Sequence, residues 1–502
     1  MSVAPPPQVG SIADRLAADK LGVMGLLHFS LTAATPLSVI AGVTVTGWAL
    51  TGQIGIPVAF TVIGTILVLF SVGYTTMARH ISNAGAFYAF TSRGLSPSVG
   101  VAASLVALVG YTGLSLGLYG LMGQAAAPLI ERATGWDAPW WVPALVLWAL
   151  VAVLGTRAID LNSKFLAVLL TAEMIIIVIF SASNLGHPAE GRYQFDALDP
   201  TLLVASGSGA LMVLGFLGMI GVEMPTVYSE ESKNPRRTVR IATVLAILIL
   251  AVLYTIASWS ITVAVGPDAI VQAAREADLG VFFGLLEDQM GSIVATTAEV
   301  LLATSVVAAA ISFHNTVARY TFALGRESVL PSSLGRTSPR TGAPMRSSIV
   351  QSAVALVIIV IYAVAGFDPL VDLFYLFGTS GGFGILTLVM LVSVSVVVFF
   401  ARDRRGESAW SSLWAPLLSA VILAGVTTMA IVSFPDLLGT APGSPLPTVV
   451  LVMYLVVAVV GLVWGLVLKS IKPELYRRIG AGPQASIDQP ASEPGAVREA
   501  VR

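Results

Sequence analysis

Five ionisable side chains lie inside long apolar stretches of this 502-residue sequence, at Glu173, Glu223, Glu299, His28 and His314. Placing a carboxylate in hydrocarbon costs at least about 2.5 kcal/mol, so each of these groups needs a cavity or a partner. Burial also favours the uncharged form of a carboxyl group, which suits proton uptake and release. Glu173 is the first candidate for proton coupling and Glu223 the second, with a hydrogen-bonded structural role as the alternative for both. Glu299 and the two histidines fit structural roles.

Two of the apolar stretches are interrupted by helix-breaking residues. The first contains TAATPLSVIAGVTVTG, with Pro36 and Gly42 near its middle, and the second contains GFLGMIGVEMP, with three glycines ahead of Pro225. Proline and glycine weaken a helix, and backbone groups freed within a membrane need a cavity or a ligand as partner. Because the two stretches are five spans apart, they predict an inverted repeat with a binding site between two broken helices. The alternative is that these residues serve helix packing alone.

The overall composition is that of a membrane protein. Hydrophobic residues make up 56% of the chain and charged residues 11%, and the mean hydropathy is +0.86. Soluble proteins carry about 25% charged residues. The net charge of −1 gives no indication of nucleic-acid binding. The chain has no cysteine for thiolate chemistry, and its four histidines have no metal-ligand spacing. No metal and no cofactor other than a coupling ion is therefore predicted.

Twelve apolar segments are long enough to cross a bilayer. They are continuous rather than alternating, which predicts α-helices. Their approximate ranges are 22–47, 55–78, 97–129, 138–156, 162–184, 206–229, 238–266, 290–323, 347–366, 370–399, 412–434 and 446–469. The predicted fold class is an all-α polytopic membrane protein with 12 transmembrane helices.

The positively charged residues determine the predicted orientation. An even number of spans places both termini on one side, and a cytoplasmic location leaves only Arg132, Arg192 and Arg275 outside. The other 24 of the 27 Lys and Arg residues then lie inside or at inner helix ends, as the positive-inside rule requires. The excess of Arg over Lys, 22 against 5, favours a bacterial source and thus a bacterial inner membrane. The predicted units are a cytoplasmic segment 1–20, a first repeat 21–184, a second repeat 206–400, two extra spans in 411–470 and a disordered cytoplasmic tail 471–502.

A charged cluster, SEESKNPRRTVR, follows the second interrupted stretch. Anchoring at the inner membrane face explains its arginines. It does not explain the two adjacent glutamates, which can pair with basic groups on other inner loops and form a gate. The gating candidates are Glu230, Glu231, Arg236 and Arg237. Farther along, the glycine-rich FGTSGGFGI at 377–385 predicts close helix packing, with a flexible gate as the alternative.

Three stretches of the sequence carry motifs of one known family. They are MARHISNAGAFYAFTSRGLSPSVG, GVEMPTVYSEESKNPRRTV and NTVARYTFALGRESVLPSSLGRTSPRTGAPMRS. In this order they resemble the loop after span 2, the sixth-span signature and the end of span 8 in permeases of the amino acid–polyamine–organocation (APC) superfamily. The resemblance covers about residues 20–470.

The resemblance implies a leucine-transporter-like fold, in which spans 1–5 and 6–10 form inverted repeats followed by two extra helices. It implies transport of amino acids or related amines by proton coupling or exchange. In such permeases the substrate carboxylate meets the unwound part of span 1, here Pro36–Gly42, and the amine meets carbonyl groups of the span 6 break, here around Phe216–Gly221. The expected substrate-binding residues are Ser38, Val39, Ala41, Gly42, Phe216, Gly218 and Met219, with Tyr111, Ser115, Ser312 and Asn315 as further lining residues.

Two departures from the family pattern leave the chemistry open. Many members carry Gly-Ser/Thr-Gly-Ile-Phe in span 1, where this chain has TPLSVIAG, and this leaves room for amines that lack a carboxylate. Some proton-coupled members place a lysine in span 5. The corresponding position falls near Thr171 here, and no lysine is present there. The coupling ion is therefore either H⁺ or Na⁺.

The sequence as a whole predicts a secondary active transporter of an amino acid or related small amine, working by alternating access. The alternatives are a polyamine or organic amine importer and a non-transporting sensor with a permease fold. An intramembrane enzyme would need a catalytic constellation, and a channel would need charge rings or a filter repeat; neither is visible, so no catalytic residue is assigned. The expected partners are the small-molecule substrate and the lipid bilayer.

Overall fold

The computed structural model describes residues 16, 19–157, 159–204, 208–277, 280–441 and 443–482, without the side chains of 159–166. The described residues form α-helices and no β-strand. The first half of the chain contains α1 (Val23–Ala33), α2 (Pro36–Ser38), α3 (Thr44–Thr51), α4 (Ile56–Ala78), α5 (Ala86–Gly94), α6 (Pro97–Thr134), α7 (Trp141–Leu154), α8 (Ile159–Gly186), α9 (Ser208–Gly218) and α10 (Met224–Val227). The second half contains α11 (Pro235–Val265), α12 (Ile270–Ala277), α13 (Gly280–Met290), α14 (Ser292–Arg326), α15 (Met345–Ala365), α16 (Leu376–Arg402), α17 (Ala415–Val432), α18 (Phe434–Leu437), α19 (Leu446–Ile471) and α20 (Pro473–Arg478). Wider π-helical turns at Val39–Val43, Pro369–Tyr375 and Trp410–Trp414 precede α3, α16 and α17.

The all-α prediction is confirmed over the described residues. Ten helical segments there are long and apolar enough to cross a membrane, the first of them running through both halves of the interrupted span 1. Two shorter apolar helices, α7 and α9, occupy the positions of predicted spans 4 and 6. Large apolar side chains such as Val357, Val421 and Leu455 are exposed on the outer helices, as expected of surfaces that face lipid.

The helix ends follow from local sequence. At the start of α6 the Ser96 hydroxyl accepts a hydrogen bond from the Val99 N–H at 3.3 Å, and Pro97 occupies a first-turn position that needs no N–H donor. At its end Gly135 adopts the left-handed conformation, with φ of 73°, which favours glycine. Gly52 ends α3 in the same way.

Helix α6 packs centrally, against α5, α7, α14, α16 and α19. Glycines on both helices let its backbone approach that of α16 closely. A Cβ atom on Gly113 would lie 3.0 Å from the Phe377 carbonyl oxygen, and one on Gly381 would lie 2.5 Å from that of Gly110. Small residues allow such close approach of membrane helices. The packing interpretation of the glycine-rich 377–385 stretch is thus supported.

Both ends of the described chain lie on one face of the helical bundle, named here the terminus face. The Glu327 carboxylate accepts hydrogen bonds from the backbone N–H groups of Gly480 and Gly482, at 2.5 and 2.9 Å, and from the Asn83 amide at 2.8 Å. Ile479 is buried beside them. The structure therefore differs from the predicted disordered tail, because residues 473–478 are helical and 479–482 are held by a buried carboxylate. Residues 483–502 lie outside the described part of the chain.

Candidate functional site

The first predicted helix interruption is present, but it lies slightly earlier than expected. The chain leaves α1 at Ala34 and Thr35, and Thr35 adopts the left-handed conformation, with φ of 45°. Residues Pro36–Gly42, expected to be unwound, are helical and buried. The physical reason is that proline is tolerated in the first turn of a helix, where its missing N–H would have no partner.

The second interruption falls where the glycines predicted it. Helix α9 ends at Gly218, the chain turns through Met219–Glu223, and α10 begins at Met224 with Pro225 in its first turn. Gly221, with φ of 121°, allows this turn, since few L-residues adopt such a conformation.

The two breaks contact each other directly. The Ser30 hydroxyl on α1 donates a hydrogen bond to the Gly221 carbonyl at 2.7 Å. A Cβ atom on Gly221 would lie 2.8 Å from the Ala34 backbone nitrogen and 2.9 Å from the Ser30 carbonyl oxygen. The first and sixth predicted spans therefore meet at their interrupted segments.

This contact predicts a large effect for Gly221→Ala. The alanine requires a strained positive φ and a backbone contact closer than side chains allow, which together should lower the apparent melting temperature of the purified protein and abolish ligand-induced stabilisation. Gly425→Ala in α17 is the matched control, because a Cβ there meets no atom within 4 Å. A melting temperature equal to that of the control variant would contradict the proposed role of the contact.

Glu223 is a hydrogen-bond acceptor within the second break. Its Oε1 atom accepts a hydrogen bond from the Tyr111 hydroxyl and its Oε2 atom one from the Gly221 N–H, both at 2.8 Å. The Thr226 hydroxyl donates to its backbone carbonyl, also at 2.8 Å. The carboxyl group thus links α6 to the broken helix and satisfies an N–H that the turn leaves without a helical partner.

Glu173 lies beside the first break, on a different helix. This buried side chain on α8 accepts a hydrogen bond from the Ser305 hydroxyl of α14 at 2.8 Å. It also accepts one from the backbone N–H of Leu37, in the first turn after the break. Thr171, by contrast, is exposed, and its hydroxyl bonds to its own helix at Ala167. Glu173 is therefore the carboxyl group that joins the first break to two other helices.

A cavity adjoins both breaks, with about 830 Å³ of empty space when the solvent at its open mouth is included. It extends from Thr35 and Ile220 at the breaks to Leu50 and Leu437, toward the face opposite the terminus face. Its lining residues are Ala33, Ala34, Thr35, Ser38, Val39, Val43, Thr46, Leu50, Leu114, Leu118, Leu121, Leu214, Leu217, Ile220, Phe313, Phe374, Tyr375, Gly378, Thr379 and Leu437.

Only some of the predicted substrate-binding residues line this cavity. Ser38 and Val39 line it, and Gly218 lies directly against Val39. The others are buried and do not line it: Ala41, Gly42, Phe216, Met219, Tyr111, Ser115, Ser312 and Asn315. Sequence reasoning did not assign the lining residues from span 10, although the glycine-rich stretch that contains Gly378 and Thr379 was noted.

Two buried ion pairs lie at the terminus face. Glu231 receives two hydrogen bonds from Arg319, at 2.8 and 3.0 Å, and Glu230 receives two from Arg326, both at 2.8 Å. The Glu231 backbone oxygen also accepts hydrogen bonds from the N–H groups of residues 20 and 21. The start of span 1 is thereby joined to the end of span 6.

The structure divides the predicted gating residues into two groups. Glu230 and Glu231 form the ion pairs, with partners on α14. Arg236 and Arg237 are exposed at the start of α11. Glu299 forms a separate ion pair with Arg132 toward the opposite face.

Comparison with known proteins identifies the family. The model of the family described as amino acid permease matches residues 24–465. The chain belongs to the amino acid permease family. Membership confirms the resemblance to the APC superfamily and shows a multi-pass membrane transporter rather than an enzyme.

Individual relatives of this permease are distant. The chain is 22% identical over 422 residues to the low-affinity putrescine importer PlaP of Escherichia coli (strain K12), covering 80% of this chain and 84% of the importer. It is 22% identical over 295 residues to the methylthioribose transporter of Bacillus subtilis (strain 168), covering 59% of each. A manganese transporter of Eremococcus coleocola has a similar fold, with a TM-score of 0.52 at 13% identity, over 93% of this chain and 99% of the transporter.

Proposed function

We propose that this permease is a secondary active transporter that moves an amino acid or related small amine by alternating access. The observation that carries the proposal is the cavity, which touches both helix breaks and extends away from the terminus face, where two buried ion pairs join the end of span 6 to α14. A cavity open to one side and sealed on the other is what one half of an alternating-access cycle requires.

The arrangement of the two breaks supports an inverted repeat. Helix α1 starts at the terminus face, whereas α9 starts at the opposite face, so the two interrupted spans run in opposite directions. In the proposed architecture α1–α8 and α9–α16 hold five spans each, and α17 and α19 are the two extra spans. Both termini are assigned to the cytoplasm from the distribution of Lys and Arg.

The two breaks supply the groups that an amino acid or amine needs. Helix α9 ends at Gly218, and the Phe216 and Leu217 carbonyl groups accept hydrogen bonds from the N–H groups of the turn that follows, at 2.9 and 3.2 Å. The remaining lone pairs of these carbonyl oxygens favour a cationic amine. Ser38 lies in the first turn after the other break, and its hydroxyl oxygen is buried at the cavity without a hydrogen-bond partner in the described structure. This hydroxyl is the proposed anchor for a carboxylate or another acceptor.

The ion pairs are the proposed inner gate. Exposing the cavity to the terminus face requires the end of span 6 to separate from α14, which breaks the Glu230–Arg326 and Glu231–Arg319 pairs. A polyamine importer is the second candidate function, favoured by the similarity to a putrescine importer.

Uptake by the purified protein in proteoliposomes tests the proposal. Saturable uptake of an amino acid or amine is expected, together with counterflow, in which unlabelled internal substrate accelerates entry of labelled external substrate. Uptake without saturation would indicate a channel, and binding without uptake would indicate a sensor.

A further inference from the structure

We infer, on the basis of the proposed transport function, that the substrate carries a single amine and a branched or aromatic apolar group, and that diamines and basic amino acids are excluded. The inference rests on the wall of the cavity. Among the described residues that line it, none is Asp, Glu, Lys or Arg.

The wall of the cavity is apolar on three helices. Helix α6 contributes Leu114, Leu118 and Leu121, and α9 contributes Leu214 and Leu217. The rings of two phenylalanines, from α14 and from the turn before α16, complete this part of the wall. Such a surface binds apolar groups through the area that it removes from water.

The two buried glutamates beside the breaks, Glu173 and Glu223, do not line this wall. Glu223 is bound to Tyr111 and Gly221, and Glu173 to Ser305 and Leu37. Neither residue lines the cavity. One ammonium group can meet the carbonyl groups at the end of α9, but a second would be buried without a counter-charge, which is strongly unfavourable.

The polar groups that line the cavity come from the first broken span and from the start of α16 and the turn before it. Ser38 carries a hydroxyl without a partner in the described structure, and Thr46 is hydrogen-bonded to Tyr375 at 2.8 Å. A molecule with its polar end at the breaks and its apolar group against the leucines fits this division. Leucine, phenylalanine and phenylethylamine are examples of that class.

Gly378 sets the free space beside the apolar wall. It lines the cavity, and a Cβ atom built there meets no atom within 4 Å. A larger side chain at this position can therefore enter the cavity without displacing backbone, and it should exclude large substrates before small ones.

The test compares ligands on the purified full-length protein by thermal shift and by competition for uptake. Leucine, phenylalanine and phenylethylamine are expected to stabilise the protein, and to compete at concentrations at least about tenfold lower than putrescine or arginine. Preferential binding and uptake of putrescine or arginine would overturn the substrate class while leaving the transport function intact. Ligand stabilisation in the expected order without any uptake would overturn the transport function alone. Stabilisation by neither group, together with no uptake of either, would overturn both.

Two substitutions, each with a control variant, test whether the substrate selectivity arises in this cavity. Gly378→Val is expected to weaken phenylalanine binding at least about tenfold and leucine binding less, whereas Gly425→Val, at an exposed position where a Cβ also meets no atom within 4 Å, should change neither. Thr379→Asp places a carboxylate in the wall and is expected to create putrescine binding, which Thr379→Asn should not do. Unchanged phenylalanine binding in Gly378→Val, or putrescine binding by Thr379→Asn, would contradict the inference.

Discussion

Replacing Glu231 with alanine is expected to lower the free energy of unfolding by about 3–5 kcal/mol, because it leaves the Arg319 guanidinium buried without its counter-charge. Both side chains are almost fully buried, with 3% and 4% of their surfaces exposed. Arg319 also lies over the Tyr228 ring, 4.4 Å from its centre, and donates a hydrogen bond to the Asn315 carbonyl at 3.2 Å. These contacts hold the charge in place rather than letting it move to water.

The measurement is denaturant or thermal unfolding of the purified protein in detergent. Glu474→Ala is the control, since Glu474 pairs with Arg477 at the surface and both side chains are about three-quarters exposed. It should leave stability unchanged within error. Replacing both members of the buried pair, as in Glu231→Leu with Arg319→Met, should recover most of the lost stability because no charge remains unpaired. Equal stability of the Glu231→Ala variant and the wild type would show that the pair does not hold the terminus face closed.

The same pair should control access to the cavity. The chain contains no cysteine, so a single Ser38→Cys substitution provides one labelling position at the cavity. In proteoliposomes of known orientation, a membrane-impermeant thiol reagent is expected to reach it from the face opposite the termini. Adding Glu231→Gln should increase labelling from the terminus face, because the gate is weakened there. Unchanged labelling from that face would remove the ion pair from the gate.

The sequence predicts the helices of this permease well because a membrane requires long apolar segments, and these are visible locally. The break in span 6 was also predictable, since glycine and proline act on their own segment. The break in span 1 lies earlier than predicted because a proline can either end a helix or begin one. The left-handed conformation of Thr35 shows that Pro36 begins one here.

The partners across the fold could not be predicted in the same way. Glu230 and Glu231 find their arginines 96 and 88 residues farther along the chain, and Tyr111 reaches Glu223 across 112 residues. The cavity wall likewise combines leucines of α6 and α9 with residues of α16. Such contacts depend on helix rotation and packing, which hydropathy does not determine.

Glu173→Gln is expected to abolish uptake driven by a pH gradient while leaving counterflow intact, if Glu173 carries the coupled proton. Glutamine keeps the size of the side chain, and its amide oxygen can still accept hydrogen bonds from the Ser305 hydroxyl and the Leu37 N–H. The hydrogen bonds that join α8 to the first break should therefore be retained. Only the ability to gain and lose a proton disappears.

Because of the position of Glu173, its substitution should affect pH-driven uptake without affecting counterflow. A proton bound there removes the negative charge that faces the Leu37 N–H, which weakens the link between α8 and the first break. Transport coupled to this step needs protonation in each cycle, whereas counterflow exchanges substrate without net proton movement. Glu299→Gln is the matched control, because Glu299 pairs with Arg132 away from the breaks and should retain pH-driven uptake. Full pH-driven uptake by Glu173→Gln would assign Glu173 to holding the break, and would transfer the coupling role to Glu223 or to a sodium ion.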